Sequence, residues 1–138
     1  MTDAYKGLQA LSSASSDLNA VDFIVRMILG ELAAATVVRV VAVTPGGDAL
    51  APTGTVDVLP LVNQIDGRGD ATPHATVYGL PFFRLQGGAN AVVIDPQVGD
   101  LGIAVFASRD ISSVKANRDQ ANPGTRRQFD YADGMYLG

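Results

Sequence analysis

The stretch "DPQVGDLGIAVFASRDIS", Asp95 to Ser112, decides how the rest of the chain is read. Pro96 and Gly99 bracket a turn, because proline fixes φ and glycine permits φ above zero. Beyond the turn, Leu101, Ile103, Val105 and Ala107 alternate with Gly102, Ala104, Phe106 and Ser108. A period of two with apolar residues on both faces predicts a strand that is central in its sheet or sandwiched between layers. Arg109 and Asp110 end the strand, and Asp110 is placed to cap the turn "ISSV" behind it. The segment is structural, with no visible catalytic group.

Working outward, "TVVRVVAVTP" and "TVDVLPLV" are rich in β-branched residues and flank the turn-forming "GGDALAPTG". They predict a hairpin with Arg39 and Asp57 as outward polar positions. "NQIDGRGDATPH" reads as a long polar loop. "ATVYGLPFFRL" is a third extended segment, where Gly79 and Pro81 predict an edge or a bend. "QGGAN" then turns the chain into "AVVIDP". One helix precedes these strands. Asn19 or Asp17 can cap it, and Leu18, Val21, Val25, Ile28, Leu29 and Leu32 follow helical spacing to about Ala34. Phe23, Ile24 and Met27 widen the apolar surface, so the helix is expected to contact two surfaces, as a core helix packed on the sheet or, in the sharper reading, with its second face on another subunit.

The expected fold is therefore mainly β, a small five-stranded barrel of the oligonucleotide/oligosaccharide-binding (OB) type behind one N-terminal helix. The pattern alone leaves a small sandwich open. Residues 1–17 read as a flexible lead-in, 18–119 as helix plus barrel, and 120–138 as an extended arm that needs a partner surface to order.

Composition narrows the function. The 138 residues suffice for one domain with a real core, and 15 Gly with 7 Pro indicate many turns. With no cysteine, a disulfide framework and a cysteine zinc site are excluded. A formal charge of −4 argues against general nucleic-acid binding, which draws most of its affinity from a basic face. No run reaches the roughly 18 consecutive apolar residues of a membrane-spanning helix, so no stable membrane insertion is expected. "MTDAYKGLQALSSASSDL" lacks the pattern of an export signal, and synthesis in a cytoplasm is the expectation.

A search for chemistry returns little. His74 is the one histidine, and a metal site or triad would need company. Asp66, Asp70, Asp95 and Asp100 stand in or beside turns, where Asp satisfies local backbone, and no spacing singles out an acid–base pair. "GRGD", Gly67 to Asp70, matches a short adhesive tripeptide and equally an ordinary exposed turn. "QGGAN" lacks the helix and lysine of a phosphate loop. Tyr78, Phe82 and Phe83 could stack bases, but only Arg68 and Arg84 stand near them, so they read as core or interface. Arg126 and Arg127, beside Asp130 and Asp133, are expected to form inter-chain salt bridges. No enzyme, cofactor or metal is expected.

Three segments carry a resemblance: "DVLPLV", "LPFFRLQGGANAVVIDPQVGDLGIAVFASRDIS" and "TRRQFDYADGMYLG". In that order behind a helix, over about Val21 to Gly138, they resemble the N-terminal barrel domain of contractile-tail bacteriophage central spikes, the baseplate assembly protein V family. The resemblance implies a virion protein of the tail baseplate, a homotrimer beneath the hub protein. It would transmit the force of sheath contraction toward penetration of the host cell envelope. It implies structural or interface roles for Phe23, Met27, Phe106, Arg109, Asp110, Arg127, Phe129, Asp130 and Asp133, and turn and packing roles for Gly99, Asp100 and Gly102. It supplies no catalytic residue. Family members usually continue into a trimeric β-helix whose tip is sometimes closed by histidine-bound iron. This chain has neither the repeats nor an H-x-H motif, so a separate tip protein is one expectation. Rival readings are a free-standing OB module for single-stranded nucleic acid or saccharide, a lysozyme-like tail enzyme, and an adhesion module using Arg68-Gly69-Asp70.

Overall fold

The computed structural model describes residues 16–46, 54–92 and 94–138. The lead-in up to residue 15 and most of the "GGDALAPTG" loop lie outside the described residues. The chain divides into two compact bodies, Ala33–Leu61 with Ala75–Gly138, and the chain up to Leu32 with Val62–His74.

The larger body is a curled, five-stranded antiparallel sheet. Its strands are β1 (Ala35–Thr44), β2 (Thr55–Pro60), β5 (Val77–Pro81), β8 (Leu101–Phe106) and β9 (Gly134–Leu137), in the order β5-β2-β1-β8-β9. A small hairpin of β6 (Leu85–Gly87) and β7 (Asn90–Val92) is formed by the "QGGAN" turn, where Gly88 supplies the left-handed residue at φ +58°. After β8 comes α2 (Ser112–Asn117), closed by Arg118 at φ 53°, and a single 3-10 turn at Tyr131–Asp133 precedes β9.

Alternation along the strands builds the core. Val38 and Val40 of β1, Val56 and Val58 of β2, Leu80, Phe82, Ala104, Phe106 and Tyr136 are all buried. Two irregularities curl the sheet. On β1 the register steps from Val40↔Val58 to Ala42↔Asp57, so one extra residue shifts the inward parity and Val43 meets the core instead of Ala42. On β5 a second bulge falls at Gly79, φ +69°, whose N–H donates to Asp57 Oδ1 at 2.9 Å. The bend expected at Gly79 is thus a bulge, tied down by the polar residue opposite it.

Just beyond β5 the chain approaches β9. Phe82 and Tyr136 form an isolated parallel bridge, and Phe83 N–H donates to the Tyr136 carbonyl at 2.8 Å. The expected strand at Leu101–Ala107 lies between β1 and β9, as its two apolar faces suggested, but only its inner face is covered.

The arm expected over 120–138 needs correcting at its end. Gly134–Leu137 pairs with β8 in the same chain, and Tyr136 is buried. The apolar "MYLG" ending reads as strand-like, but four residues are too few to show which strand they pair with. The "ISSV" turn likewise extends into α2.

The second body holds α1 (Asp17–Gly30) and a two-stranded hairpin of β3 (Gln64–Ile65) and β4 (Ala71–Thr72) within the expected polar loop. The helix is capped by Ser16, not by Asp17 or Asn19: the Ser16 hydroxyl accepts from Asn19 N–H at 3.2 Å. It ends at Gly30, earlier than Ala34, because Glu31 closes it.

Gly134 has no room for a side chain, since a Cβ there would stand 2.7 Å from the Phe106 ring and 2.9 Å from Leu80. Gly134→Ala is expected to cost about 1–3 kcal/mol through overpacking. Urea unfolding should show a lower midpoint at unchanged slope; an unchanged midpoint would contradict this packing.

Candidate functional site

Two features of the larger body stand out: a charged latch behind the sheet and an apolar surface in front of it. The latch forms between β8 and β9. Asp110 and Asp133 are 4% and 1% exposed, and both need partners to be buried as charges. Arg127 supplies them. Its Nε and one terminal nitrogen contact the two Asp133 oxygens at 2.6 and 2.7 Å, and that same nitrogen reaches Asp110 Oδ1 at 2.9 Å. This fork-to-carboxylate geometry is the strong form of the ion pair.

Backbone donors complete the latch. Ile111 N–H donates to Asp133 Oδ1 at 3.0 Å and Ser112 N–H to Asp110 Oδ1 at 2.9 Å, while the Thr125 hydroxyl donates to Asp110 Oδ2 at 2.8 Å. Hydrogen bonds from Ser112 and Thr125, with the Arg127 charge, hold the Asp110 carboxyl well below the usual carboxylate range. Arg127 does the same for Asp133, and the two aspartates push the Arg127 guanidinium upward in turn. Lys115 is lowered by burial as its ammonium donates to the Ala132 carbonyl at 3.4 Å.

This corrects the expectation of inter-chain bridges for Arg127. The connection from α2 folds back over the end of β8, so both carboxylates come within reach in the same chain. Arg126, next to it, remains exposed. Of the other expected residues, Phe106 is buried and meets Tyr131 edge to face at 4.8 Å. Asp130 caps the 3-10 turn, accepting from Ala132 N–H at 2.8 Å. Phe129 adopts φ 47° and its carbonyl accepts from Ala33 N–H at 3.1 Å. Arg109 is exposed, Phe23 half-buried and Met27 39% exposed. The expected bond of Asp110 to the "ISSV" turn is the one from Ser112 N–H, whereas nothing in the sequence announced Thr125 or Ile111 as latch partners, since both act through folding of an aperiodic segment.

The apolar surface is the outer face of β1, β8 and β9. Val37 pairs with Ile103 and Ile103 with Leu137, so the three form a row across three strands. Leu101 and Met135 extend it. Leu101 is 64% exposed and Ile103 49%, which for a central strand means an uncovered face.

Around the edge from this face lies a groove of about 350 Å³ lined by Phe82, Phe83, Leu85, Ile94, Leu101 and Tyr136, among others. Of the three aromatics weighed for stacking, Phe82 is buried, while Phe83 and Tyr78 are exposed. Arg84 lies 5.6 Å over the Phe82 ring and 3.9 Å from Asp95, with its Nε buried and unpaired among the described residues. The turn holding Gly99, at φ +99°, positions the adjoining strand: Gly99 N–H donates to the Val40 carbonyl, and Asp100 Oδ2 accepts from Gln97 N–H at 2.8 Å. Gly102 lies against the Tyr136 ring.

In the smaller body, Arg68-Gly69-Asp70 forms the tip of the β3–β4 hairpin. Asp66 Oδ1 accepts from the Arg68 and Asp70 N–H groups, both at 2.9 Å, and Gly69 takes φ +89°. That is how an aspartate and a glycine close a tight hairpin. Among the described residues no group of three or more potential acidic or histidine ligands could hold a metal ion.

No family model and no curated protein matches this chain.

The latch predicts an acid-sensitive fold. Asp110 and Asp133 have folded pKa values below their unfolded values near 4, so their stabilisation is fully present above about pH 5. It drains as pH falls through 4 toward the depressed folded values. The melting temperature of the wild type should therefore fall steeply below about pH 4, and Asp133→Asn should lower it at pH 7 and flatten that acid slope. Equal slopes for the two proteins would mean that Asp133 is not charged in the folded state.

Proposed function

We propose that this chain is a structural assembly protein, the base of a central tail spike in the baseplate of a contractile-tailed phage or related injection particle. The observation that carries the reading is the apolar row of exposed Val37 and Ile103 with half-buried Leu137, extended by exposed Leu101 and Met135 on the outer face of the sheet. An apolar face of this kind, crossing three strands, calls for a protein partner. In this reading the partners are two further copies, giving a homotrimer with the hub protein above and a separate spike tip below.

The fold supports that reading at a finer level. We infer that the curled sheet works as a closed five-stranded OB-type barrel. Its support is the parallel bridge of Phe82 to Tyr136, which joins the first and last strands of the order β5-β2-β1-β8-β9. Closure removes both free edges, so force along a threefold axis would load hydrogen-bonded ladders rather than frayed ends. The latch serves the same end by fastening the irregular connection behind β8. The part works by geometry and carries no catalytic residue.

A second reading is favoured by the groove at Phe82, Phe83 and Tyr136, which offers an apolar and aromatic lining to a single-stranded nucleic acid or a saccharide. Its one nearby cation, Arg84, faces Asp95, which leaves little charge for phosphate.

Light scattering coupled to size exclusion separates the two. The spike reading expects three times the 14.3 kDa chain mass at micromolar concentration, and Ile103→Asp should shift that mass toward monomer. A wild-type monomer that retains an oligonucleotide on a filter at low salt, and loses it on Phe83→Ala, would replace the spike reading with the second.

A further inference from the structure

Helix α1 has no buried residue, although most of its side chains are apolar. Leu18, Val21, Val25 and Ile28 are 77%, 58%, 49% and 53% exposed, and Leu32, just past the helix end, is 41% exposed. These five positions are spaced three, four, three and four residues apart, which is the repeat of a coiled-coil seam. The polar residues Asn19, Asp22 and Arg26 fall on a different strip, where Arg26 pairs with Asp22 at 2.8 Å.

We propose that this seam is a self-association surface on which α1 meets the α1 helices of two further copies in a short parallel bundle. This rests on the trimeric reading above and names the element that forms its axis. Within α1, Leu18 and Val25 occupy the first core position of the repeat and Val21 and Ile28 the second, and Leu32 continues the spacing past the helix end. Ile24 and Leu29 flank the seam and are 48% and 59% exposed, which widens the apolar stripe beyond what a two-stranded contact covers.

A membrane surface is a poorer occupant. Helices that lie on lipid carry Lys and Arg on the polar face, whereas α1 carries Asp17, Asp22 and Arg26 with Glu31 at its end. Fourteen residues is also about four turns, too short to be a stable bundle alone, so the seam adds to the trimer contacts proposed above.

The test uses the full chain in sedimentation velocity. Val25→Asp with Ile28→Asp should weaken trimer formation at least 100-fold, and Arg26→Gln on the polar strip should leave it unchanged. Because no α1 residue is buried, the double variant should keep the β-sheet circular dichroism of the wild type. A wild-type trimer unaltered by the double variant overturns the seam and leaves the trimer standing; a wild-type monomer overturns both. The chain lacks cysteine, so single cysteines give an independent measure. Ile28→Cys should cross-link between copies under mild oxidation and Arg26→Cys should not. Equal cross-linking at the two positions overturns the seam even if the aspartate variants misfold.

Discussion

Asp110 and Asp133 stand near the two ends of the long connection between β8 and β9, and Arg127, in its later part, reaches both. Without a regular ladder over most of that connection, its path is held by this ion pair and the backbone donors that complete it. The position of β9 follows from it, because Asp133 immediately precedes Gly134, and its own carbonyl accepts from Ala107 N–H at 2.8 Å. Once β9 is fixed, Tyr136 enters the core over Gly102 and its carbonyl meets Phe83. A single arginine thus links the end of one strand to the start of the next, at the cost of two desolvated carboxylates.

The surface follows a different logic. Apolar side chains inside the sheet are covered by the chain itself, while Val37, Leu101, Ile103 and Met135 outside it, and the seam of α1, are left in water. Single exposed hydrophobes are ordinary, but a row across three strands and a heptad along a helix are organised patches. Both patches are continuous in register, one through strand pairing and the other through helical spacing. In the proposed trimer, a symmetric set of copies supplies the same two periodicities without any second sequence.

Much of this was readable from residues alone. The alternation at Leu101–Phe106, the β-branched runs of β1 and β2, and the helical spacing of α1 are local patterns, and local patterns survive in one dimension. The Gly79 bend was visible for the same reason, since a glycine inside a strand has few other uses. Apolar residues on both faces of β8 also signalled that something covers each face, although the sequence could not say which face the chain covers by itself. The latch was legible only as a cluster of charges. Arg127 and Asp133 are six residues apart and Arg127 and Asp110 seventeen, and neither separation has meaning in a helix or strand.

By itself, then, the sequence determined the periods: which segments extend, which one coils, where turns fall, and that no cysteine chemistry is present. Tertiary structure decided the pairing of those segments. It set β9 beside β8, brought Phe82 to Tyr136, moved the inward parity of β1 across a bulge, and turned Arg127 inward to Asp110 and Asp133. The physical reason is range. Side-chain alternation is fixed by backbone geometry within a few residues, whereas burial of a charge or meeting of two strand edges depends on which distant segment happens to satisfy it.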